Sequence, residues 1–363
     1  MSSPSSPKGP CVLVTGTGGG GLGEQLVKAL RLAATPYRVV AADITPLSTG
    51  LARGDEHVIL PPAGADDYLE ALLAACRRHG AEVVLPGSEA ELKVLSARRA
   101  EVAAAGLFLP VNASSVIERC MDKLALSRAL DELGVKGPRY VRVTSPDDVR
   151  DLPVFPMVFK PSTGTGGSAD TFIVQTPAEA RTIAEYLCAI RPEFIAQEYV
   201  GRYDREYTVG VLSDMDGNFL NSIALRRHTW TSLGCRMRVP NRTGRAELGE
   251  TLVISSGISQ GDIGPFPEVC GPCEKIAAAL GSRGPCNIQL RLVDGEIYLF
   301  EINPRFSGTT SLRALAGFNE PDVLIRKHVL GEAVEPRFPY ESGVIMRRLE
   351  ESLVAPGQTQ PKE

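Results

Sequence analysis

The chain has 363 residues, of which 43% are hydrophobic and 23% are charged, so it is neither one small module nor a disordered chain. The 39 Lys and Arg residues against 43 Asp and Glu residues give a net charge of -4. This balance offers no basic footprint for a nucleic-acid backbone, and we expect small-molecule partners.

Two tails, a cytoplasmic location and free thiols are predicted from simple features of the sequence. Residues 1–10 and 346–363 are rich in Pro and polar residues, which predicts disordered tails. No run of 18 apolar residues and no apolar signal-peptide core occurs, so we expect no membrane contact and a cytoplasmic protein. Eight cysteines are too few for a disulfide scaffold.

The first third of the chain alternates predicted strands with predicted helices. Buried-type apolar runs predict strands at residues 11–15, 38–42 and 82–85. Apolar residues at helical spacing predict a helix beginning near Leu22 and further helices at residues 68–79 and 89–105. Such alternation predicts a parallel sheet, so we expect an α/β, Rossmann-like domain over residues 11–112.

The pattern then changes to short strands and isolated helices, which predicts two α+β units over residues 113–203 and 204–345. Helices are predicted at residues 122–133, 177–190 and 267–280. Strands are predicted at residues 157–160, 171–174, 195–199, 205–212, 287–293 and 296–301, with a basic loop over residues 226–245. Asp294-Gly295, between the last two strands, is a strong signal for a type I′ turn.

A glycine-rich turn follows the first strand, at residues 15–23, and Asp43 closes the second strand about 20 residues later. This context fits a dinucleotide-binding turn, which would indicate an NAD-dependent oxidoreductase. Four consecutive glycines match that pattern in almost any register, however. A close-approach turn that binds no dinucleotide is the alternative interpretation.

A second glycine-rich loop follows a lysine at the end of a predicted strand. Lys160 precedes the segment Ser162, Thr163, Gly164, Thr165, Gly166, Gly167, Ser168. Backbone N–H groups in such a loop can surround phosphate oxygens while the lysine supplies a fixed charge. The lysine precedes the glycines, so the segment is not a P-loop. A simple hairpin tip is the alternative.

Oxygen-bearing side chains mark the predicted hairpin near residue 295. The two-residue period of a strand puts Glu301 and Asn303 on one face, and pairing across the hairpin brings Gln289 next to Glu301. Oxygen ligands without His or Cys suit Mg²⁺ shared with substrate phosphates, or Mn²⁺ in its place. A solvated polar face is the alternative interpretation.

Taken in chain order, these residues resemble the ATP-grasp superfamily. The resemblance rests on Lys123, Lys160 with its loop, Gln197 to Val200, Glu206, Gln289 and the segment Glu301 to Arg305, and it covers residues 11–335. It is strongest to the branch containing the carbamoyl phosphate synthetase large chain. It implies an ATP-grasp fold with a parallel-sheet domain in front, and an ATP-dependent ligase that joins a carboxylate to an amine through an acyl phosphate. A homodimer is compatible with it.

The resemblance also implies a role for each matching residue. Lys123 and Lys160 would contact phosphates, and the loop from Ser162 to Ser168 would close over them. Adenine would meet Glu198, Tyr199 and Val200, and Glu206 would hold the ribose hydroxyls. Gln289, Glu301 and Asn303 would bind one or two Mg²⁺. Arg305, catalytic together with Lys160, would stabilise the acyl phosphate or orient the incoming carboxylate.

The remaining expectations concern the substrate contacts, a non-catalytic alternative and two cysteines. Acceptor pockets in the superfamily are built from variable loops, and the corresponding candidates here are Gly19, Gly20, Ser88, Glu89, Arg226, Arg236, Ser307 and Gly308. A non-catalytic ATP-binding sensor stays open as an alternative to the ligase. Cys270 and Cys273 have the CxxC spacing, but they lack the strand context of a redox motif.

Overall fold

A parallel four-stranded sheet forms the N-terminal part of the molecule, whose computed structural model describes residues 9–163 and 169–348. Its strand order is β3-β2-β1-β4. All three pairings are parallel, as predicted. The elements are β1 (Cys11–Val14), α1 (Leu22–Leu32), β2 (Arg38–Asp43), β3 (Glu56–Ile59), α2 (Tyr68–His79), β4 (Val83–Leu85), α3 (Glu89–Ala97) and α4 (Arg99–Ala104).

Two details of this part differ from the prediction. The helix predicted over residues 89–105 is two helices, because the backbone leaves helical geometry at Arg98. Strand β3 was not predicted, since only two of its four residues, Val58 and Ile59, are apolar. The chain enters the sheet at Pro10, which is buried and whose carbonyl accepts a hydrogen bond from the Arg38 N–H.

A smaller antiparallel sheet follows, with the strand order β5-β8-β6-β7. One face of it is covered by α7, whose apolar side packs with Phe159 and Phe194 in a separate core. Thr176 caps α7 and Pro177 occupies its first turn, so the helix begins where the sequence predicts. The elements are α5 (Ser114–Met121), α6 (Lys123–Glu132), β5 (Tyr140–Val143), β6 (Met157–Pro161), β7 (Phe172–Val174), α7 (Pro177–Ile190) and β8 (Phe194–Glu198).

A six-stranded antiparallel sheet, with a two-stranded ribbon beside it, makes up the C-terminal part. The order of the large sheet is β15-β14-β9-β10-β13-β16, and β11 pairs with β12. The predicted basic loop over residues 226–245 is wrong in part, because β10 extends to Arg227 and residues 235–240 form β11. The elements are β9 (Glu206–Ser213), β10 (Phe219–Arg227), β11 (Cys235–Pro240), β12 (Thr251–Ser255), β13 (Gly261–Gly264), α8 (Pro267–Ala279), β14 (Pro285–Val293), β15 (Glu296–Asn303), α9 (Thr310–Leu315), α10 (Glu320–His328) and β16 (Gly343–Ile345).

The first and last sheets share one hydrophobic core. Val12 and Leu26 of the parallel-sheet part pack in the same cluster as Leu212 and Phe318 of the C-terminal part. A second cluster lies on the other face of the parallel sheet, and a third packs α8 against the six-stranded sheet. Because apolar burial joins the outer parts directly, the carboxyl edge of the parallel sheet is held against the end of the large sheet.

No helix in the described part of the chain is both long enough and apolar enough to span a membrane. All eight cysteines are unpaired. Cys270 and Cys273 lie buried in α8, where burial raises the pKa of the Cys270 thiol to about 12 and that of Cys273 well above its ordinary value. Thiols this hard to ionise are poor nucleophiles and poor metal ligands.

Candidate active site

A cavity of about 530 Å³ lies where the three parts of the molecule meet. The parallel-sheet part contributes Gly20, Gly21 and the segment Gly87 to Glu89, while the small sheet contributes Lys160 and the segment Gln197 to Val200. The large sheet contributes Glu206, Arg227, Arg291 and Glu301. Segments from all three parts that the sequence marks as chemically important therefore reach the same space.

Most of the predicted site residues line this cavity. They are Gly20, Ser88, Glu89, Lys123, Lys160, Glu198, Tyr199, Val200, Glu206, Gln289, Glu301, Arg305, Ser307 and Gly308. Gly164, Thr165, Gly166, Gly167 and Ser168 lie outside the described residues, so their predicted role stays a prediction.

The remaining predicted residues lie beside the cavity lining or away from it. Ser162 is buried next to Lys160, and its carbonyl accepts a hydrogen bond from the Lys123 N–H at 3.0 Å, while Thr163 is exposed. Gly19 is exposed at the tip of its turn. Arg226 is paired with Asp262 at 2.8 Å, and Arg236 is exposed on β11; neither is part of the lining.

Two lysines enter the cavity from different elements. Asp122 caps α6 by accepting hydrogen bonds from the N–H groups of Leu124 and Ala125, which fixes Lys123 at the first helical position. Lys160 lies near the end of β6, buried, with its Nζ 3.4 Å from the carbonyl oxygen of Phe300. Burial, and after it the nearby Lys123, lowers the pKa of Lys160 to about 7. Both lysines can therefore be charged in this site only at an electrostatic cost, which a bound anion would offset.

The segment from Glu198 to Val200, at the end of β8, connects the small sheet to the large one and is called the hinge below. Tyr199 is buried, and its hydroxyl both accepts from the Val253 N–H at 2.9 Å and donates to the Val253 carbonyl at 3.2 Å. Glu198 is held by Arg139 at 2.8 Å and by Arg245 at 3.1 Å. The backbone that borders the cavity here is therefore fixed on both sides.

Glu206 begins β9 and is clamped between two buried arginines. Arg227 of β10 is 3.2 Å from Oε1 of Glu206, and Arg291 of β14 is 3.0 Å from Oε2. Burial alone would raise the pKa of Glu206, but the two guanidinium groups outweigh it and hold the pKa below its ordinary value. The carboxylate is therefore ionised and fixed in position.

The metal set predicted from the hairpin is assembled by strand register. Asp294 and Gly295 both have positive φ angles, 50° and 81°, which is the type I′ turn that the sequence predicts. The strands that leave this turn shift in register by one residue between Leu290 and Gln289, and the shift places Gln289 opposite Glu301. The Asn303 side-chain amide donates to Glu301 Oε1 at 2.9 Å.

The donor set is one carboxylate and two amides. No cluster of three or more His, Cys, Asp or Glu side chains suited to a metal occurs within residues 9–163 and 169–348. Asn303 borders a small pocket next to the main cavity, and Glu301 borders both. Oxygen donors of this kind, with a single charge, fit Mg²⁺ that receives its other ligands from phosphates and water.

Arg305 and Glu89 form an ion pair where the start of α3 and the segment after β15 both border the cavity. Arg305 Nη2 lies 3.3 Å from Glu89 Oε1, and Nη1 donates to the Phe306 carbonyl at 2.9 Å. The Nε of Arg305 is buried and has no hydrogen-bond partner within the described part of the chain. This part of the cavity combines a cation that is not fully satisfied with the backbone of the glycine-rich turn and of residues 307–309.

Comparison with known proteins identifies the family. A family model described as "ATP-grasp in the biosynthetic pathway with Ter operon" matches residues 256–352, and one described as "PylC-like, N-terminal domain" matches residues 12–109. The carbamoyl phosphate synthase large chain of Brucella suis is 24% identical over 333 residues, which cover 87% of this chain and 28% of the synthase. The chain contains an ATP-grasp domain and is homologous to the carbamoyl phosphate synthase large chain.

Two further ATP-grasp relatives span most of this chain. The formate-dependent phosphoribosylglycinamide formyltransferase of Burkholderia thailandensis is 25% identical over 98% of this chain and 84% of its own length. The solved biotin carboxylase domain dimer of the Hydrogenobacter thermophilus 2-oxoglutarate carboxylase, in complex with MgADP, ADP and bicarbonate, has a TM-score of 0.63. It is 16% identical and aligns with 92% of this chain and 72% of its own. The predicted resemblance to ATP-grasp proteins and the predicted α/β fold are confirmed.

Sequence reasoning missed several residues of the cavity, among them two arginines and an asparagine. Arg227, Arg291 and Asn287 all line it, and each is buried. Alternation along a strand is the signal that would have found Arg227, because Arg226 and Arg227 point to opposite faces of β10. The same period places Asn287, Gln289 and Arg291 on one face of β14.

Proposed function

We propose that this ATP-grasp protein is an ATP-dependent ligase that joins a carboxylate to an amine, with an amino acid as one partner, and releases ADP and phosphate. The single observation that carries the proposal is the shared cavity. Lys123, Lys160, Gln289 and Glu301 line it together with the hinge and with Arg305 and Glu89. A nucleotide site and an acceptor site are thus continuous.

Different residues of the chain would hold different parts of the nucleotide. The hinge from Glu198 to Val200 would border the adenine, and Glu206 the ribose. Lys123 and Lys160 would neutralise phosphate oxygens. Gln289, Glu301 and Asn303 would hold Mg²⁺, which when bound supplies further positive charge to the phosphates.

The chemistry needs alignment and charge neutralisation more than a protein nucleophile. A substrate carboxylate oxygen attacks the γ-phosphoryl group and displaces ADP, which gives an acyl phosphate. Arg305 lies at the acceptor end and would stabilise the charge that develops there. The amine then attacks the acyl carbon and phosphate leaves.

The glycine-rich turn after β1 supports a substrate role better than a dinucleotide role. Gly20 and Gly21 line the same cavity as Arg305, Ser307 and Gly308. The N–H groups of both glycines are bonded within the turn, to Glu24 Oε2 and to the Gly18 carbonyl, so the turn would shape the acceptor end by its lack of side chains. The presence of residues suited to phosphates, to Mg²⁺ and to an acceptor in one cavity supports the ligase over the sensor.

The direct test of the proposed function is analysis of the nucleotide product. We expect purified protein with MgATP and a pool of amino acids and small carboxylic acids to form ADP, and only when the pool is present. Splitting the pool would then identify the substrates. Formation of AMP would contradict an acyl phosphate route, and tight MgATP binding without turnover in any pool would favour the sensor.

Binding of MgATP is expected to be accompanied by proton uptake above neutral pH. The pKa of Lys160 is about 7 in the free protein, so near pH 8 this amine is mostly neutral. Phosphate charge beside it raises the pKa, so the bound form takes up a proton. The uptake, and the loss of affinity that goes with rising pH, belong to the window above about pH 7 and vanish well below it.

Isothermal titration calorimetry in two buffers of different ionisation enthalpy measures this uptake. Lys160→Met is the matched variant, because it keeps the length of the side chain and removes its proton site. Equal uptake by the wild type and the variant would show that the proton goes elsewhere.

A further inference from the structure

Four carboxylates line the cavity within the described part of the chain, and one of them is set apart by its surroundings. Glu198 and Glu206 are each paired with two arginines, and Glu301 accepts a hydrogen bond from Asn303 in the predicted metal set. The side chains of Glu198 and Glu206 are only 9% and 3% exposed. The fourth, Glu89, is 34% exposed and has a single ion-pair partner among the described residues, Arg305.

The fold fixes Glu89 at the acceptor end. It is the first residue of α3, directly after the carboxyl edge of the parallel sheet, and Ser88 caps the helix by accepting from the Glu91 N–H at 3.2 Å. Its side chain borders the main cavity and also the small pocket that holds Asn303 and Glu301. Glu89 is therefore near the reacting groups and is contributed by a different part of the chain from the metal set.

The pairing of Glu89 with Arg305 is one that the proposed reaction would disturb. Arg305 contacts only Oε1 of Glu89, and at 3.3 Å. A phosphate group that carries two negative charges competes for the same guanidinium more strongly than one carboxylate does. When Arg305 turns toward the acyl phosphate, Glu89 is left as an unpaired anion in a partly buried site, and such an anion favours a cation.

We propose that Glu89 binds the amine substrate as its ammonium ion and accepts its proton before amide formation. The inference rests on the proposed function, because it needs the acyl phosphate to draw Arg305 away. It restricts the second substrate to a primary amine that arrives positively charged, such as an amino acid.

The proposed step accounts for every proton and every bond. The ammonium nitrogen passes one proton to the Glu89 carboxylate and regains its lone pair. That lone pair forms the C–N bond at the acyl carbon, the bond from this carbon to the phosphate oxygen breaks, and the nitrogen's second proton leaves with the phosphate. Glu89 returns its proton to water when the product departs.

The test separates the two half-reactions with hydroxylamine, which is uncharged at neutral pH and traps acyl phosphates as hydroxamates. We expect Glu89→Gln to form hydroxamate from ATP and the carboxylate substrate at a rate near that of the wild type. Amide formation with the amino acid acceptor should fall about 10- to 100-fold, as loss of a charge-assisted hydrogen bond predicts, chiefly through a higher KM for the amine. Glu89→Asp, which keeps the charge, should recover part of the loss.

Glu179→Gln is the matched control. Glu179 also lies in the first turn of a helix and pairs with an arginine, Arg242, and its side chain is 32% exposed, but it is not part of the cavity lining. Its replacement should leave both products unchanged.

Three results would overturn the inference. If Glu89→Gln lowers hydroxamate and amide equally, the residue serves the first half-reaction. If it changes instead the Mg²⁺ concentration needed for ADP formation, Glu89 belongs to the metal set in the neighbouring pocket. If the wild type forms no hydroxamate with any carboxylate in the pool, the proposed function fails and the inference fails with it.

Discussion

Replacing Glu301 with Gln is expected to lower the rate of ADP formation by about 10³-fold or more at saturating substrates, an effect of roughly 4 kcal/mol on the barrier. Burial would raise the pKa of Glu301, but Lys123, Asn303 and Lys160 together outweigh it, so the pKa is below its ordinary value and the side chain is an anion. The amide keeps the shape of the carboxylate and removes the one charge in the set. Mg²⁺ would then be held by neutral oxygens alone.

The experiment needs a control substitution on the same strand but outside the site. Glu296 begins β15, five residues before Glu301, and its side chain is 54% exposed and paired with Lys136. Glu296→Gln should leave ADP formation unchanged, because an exposed ion pair contributes little and lies outside the cavity lining. Turnover of Glu301→Gln within about tenfold of the wild type would contradict a metal role for this residue.

A second readout distinguishes loss of metal from loss of fold. The variant should retain the thermal unfolding midpoint of the wild type without nucleotide, and it should lose much of the stabilisation that MgATP gives. Ligand-dependent stabilisation follows the affinity for the folded state, so its loss reports the binding site directly.

The hairpin that carries the predicted metal ligands is the part of the site that is easiest to predict from the sequence. Asp294-Gly295 determines a two-residue turn, and pairing across that turn brings Gln289 near Glu301, so the prediction needs only local features. The sequence does not show the one-residue shift in register between Leu290 and Gln289. Without this shift Gln289 would pair with Phe300, and with it Gln289 pairs with Glu301.

The charge arrangement around Glu206 could not be predicted in the same way. Its two arginines come from β10 and β14, which are neighbours of β9 in the sheet but lie 21 and 85 residues away in sequence. Strand order decides which side chains meet, and strand order in an antiparallel sheet is not encoded by any single strand. The sequence therefore indicates an acid at this position without its partners.

The error over the basic region between residues 226 and 245 has a related cause. Charges at Arg226, Arg227 and His228 resemble a solvated loop when read along the chain. In the sheet, Arg226 and His228 share Asp262 on the outer side, while Arg227 is turned inward to Glu206. The end of β10 and the whole of β11 lie in this segment, because ion pairs with distant residues offset the cost of burying charge.

Replacing Arg313 with Met is expected to reduce the free energy of unfolding by about 3–5 kcal/mol, the largest stability effect we expect of a single substitution outside the cavity. Arg313, on α9, is 1% exposed and lies 3.0 Å from Glu320, which is fully buried. Its Nη2 also donates to Asn287 Oδ1 at 2.7 Å. Methionine fills much of the space but leaves the Glu320 charge without its ion-pair partner. Urea denaturation measures the change.

An ion pair on the neighbouring helix serves as the control. Arg326 of α10 is 2.6 Å from Glu332, with side chains 38% and 43% exposed. Arg326→Met should therefore cost no more than about 1 kcal/mol. A loss for Arg313→Met as small as that would mean that Glu320 finds other compensation, for example through the Thr310 hydroxyl that donates to it at 3.0 Å.

The double variant Arg313→Met, Glu320→Gln separates an unpaired charge from a lost packing interaction. If the penalty comes from the buried anion, the second change removes that anion and recovers most of the stability. If it comes from packing around α9, the double variant stays as unstable as the single one. Because Thr208 also donates to Asn287 Oδ1, at 2.8 Å, the folded fraction should keep Asn287 in the cavity wall and bind MgATP with nearly unchanged affinity. Arg313 then acts on the site through the stability of the fold that presents it.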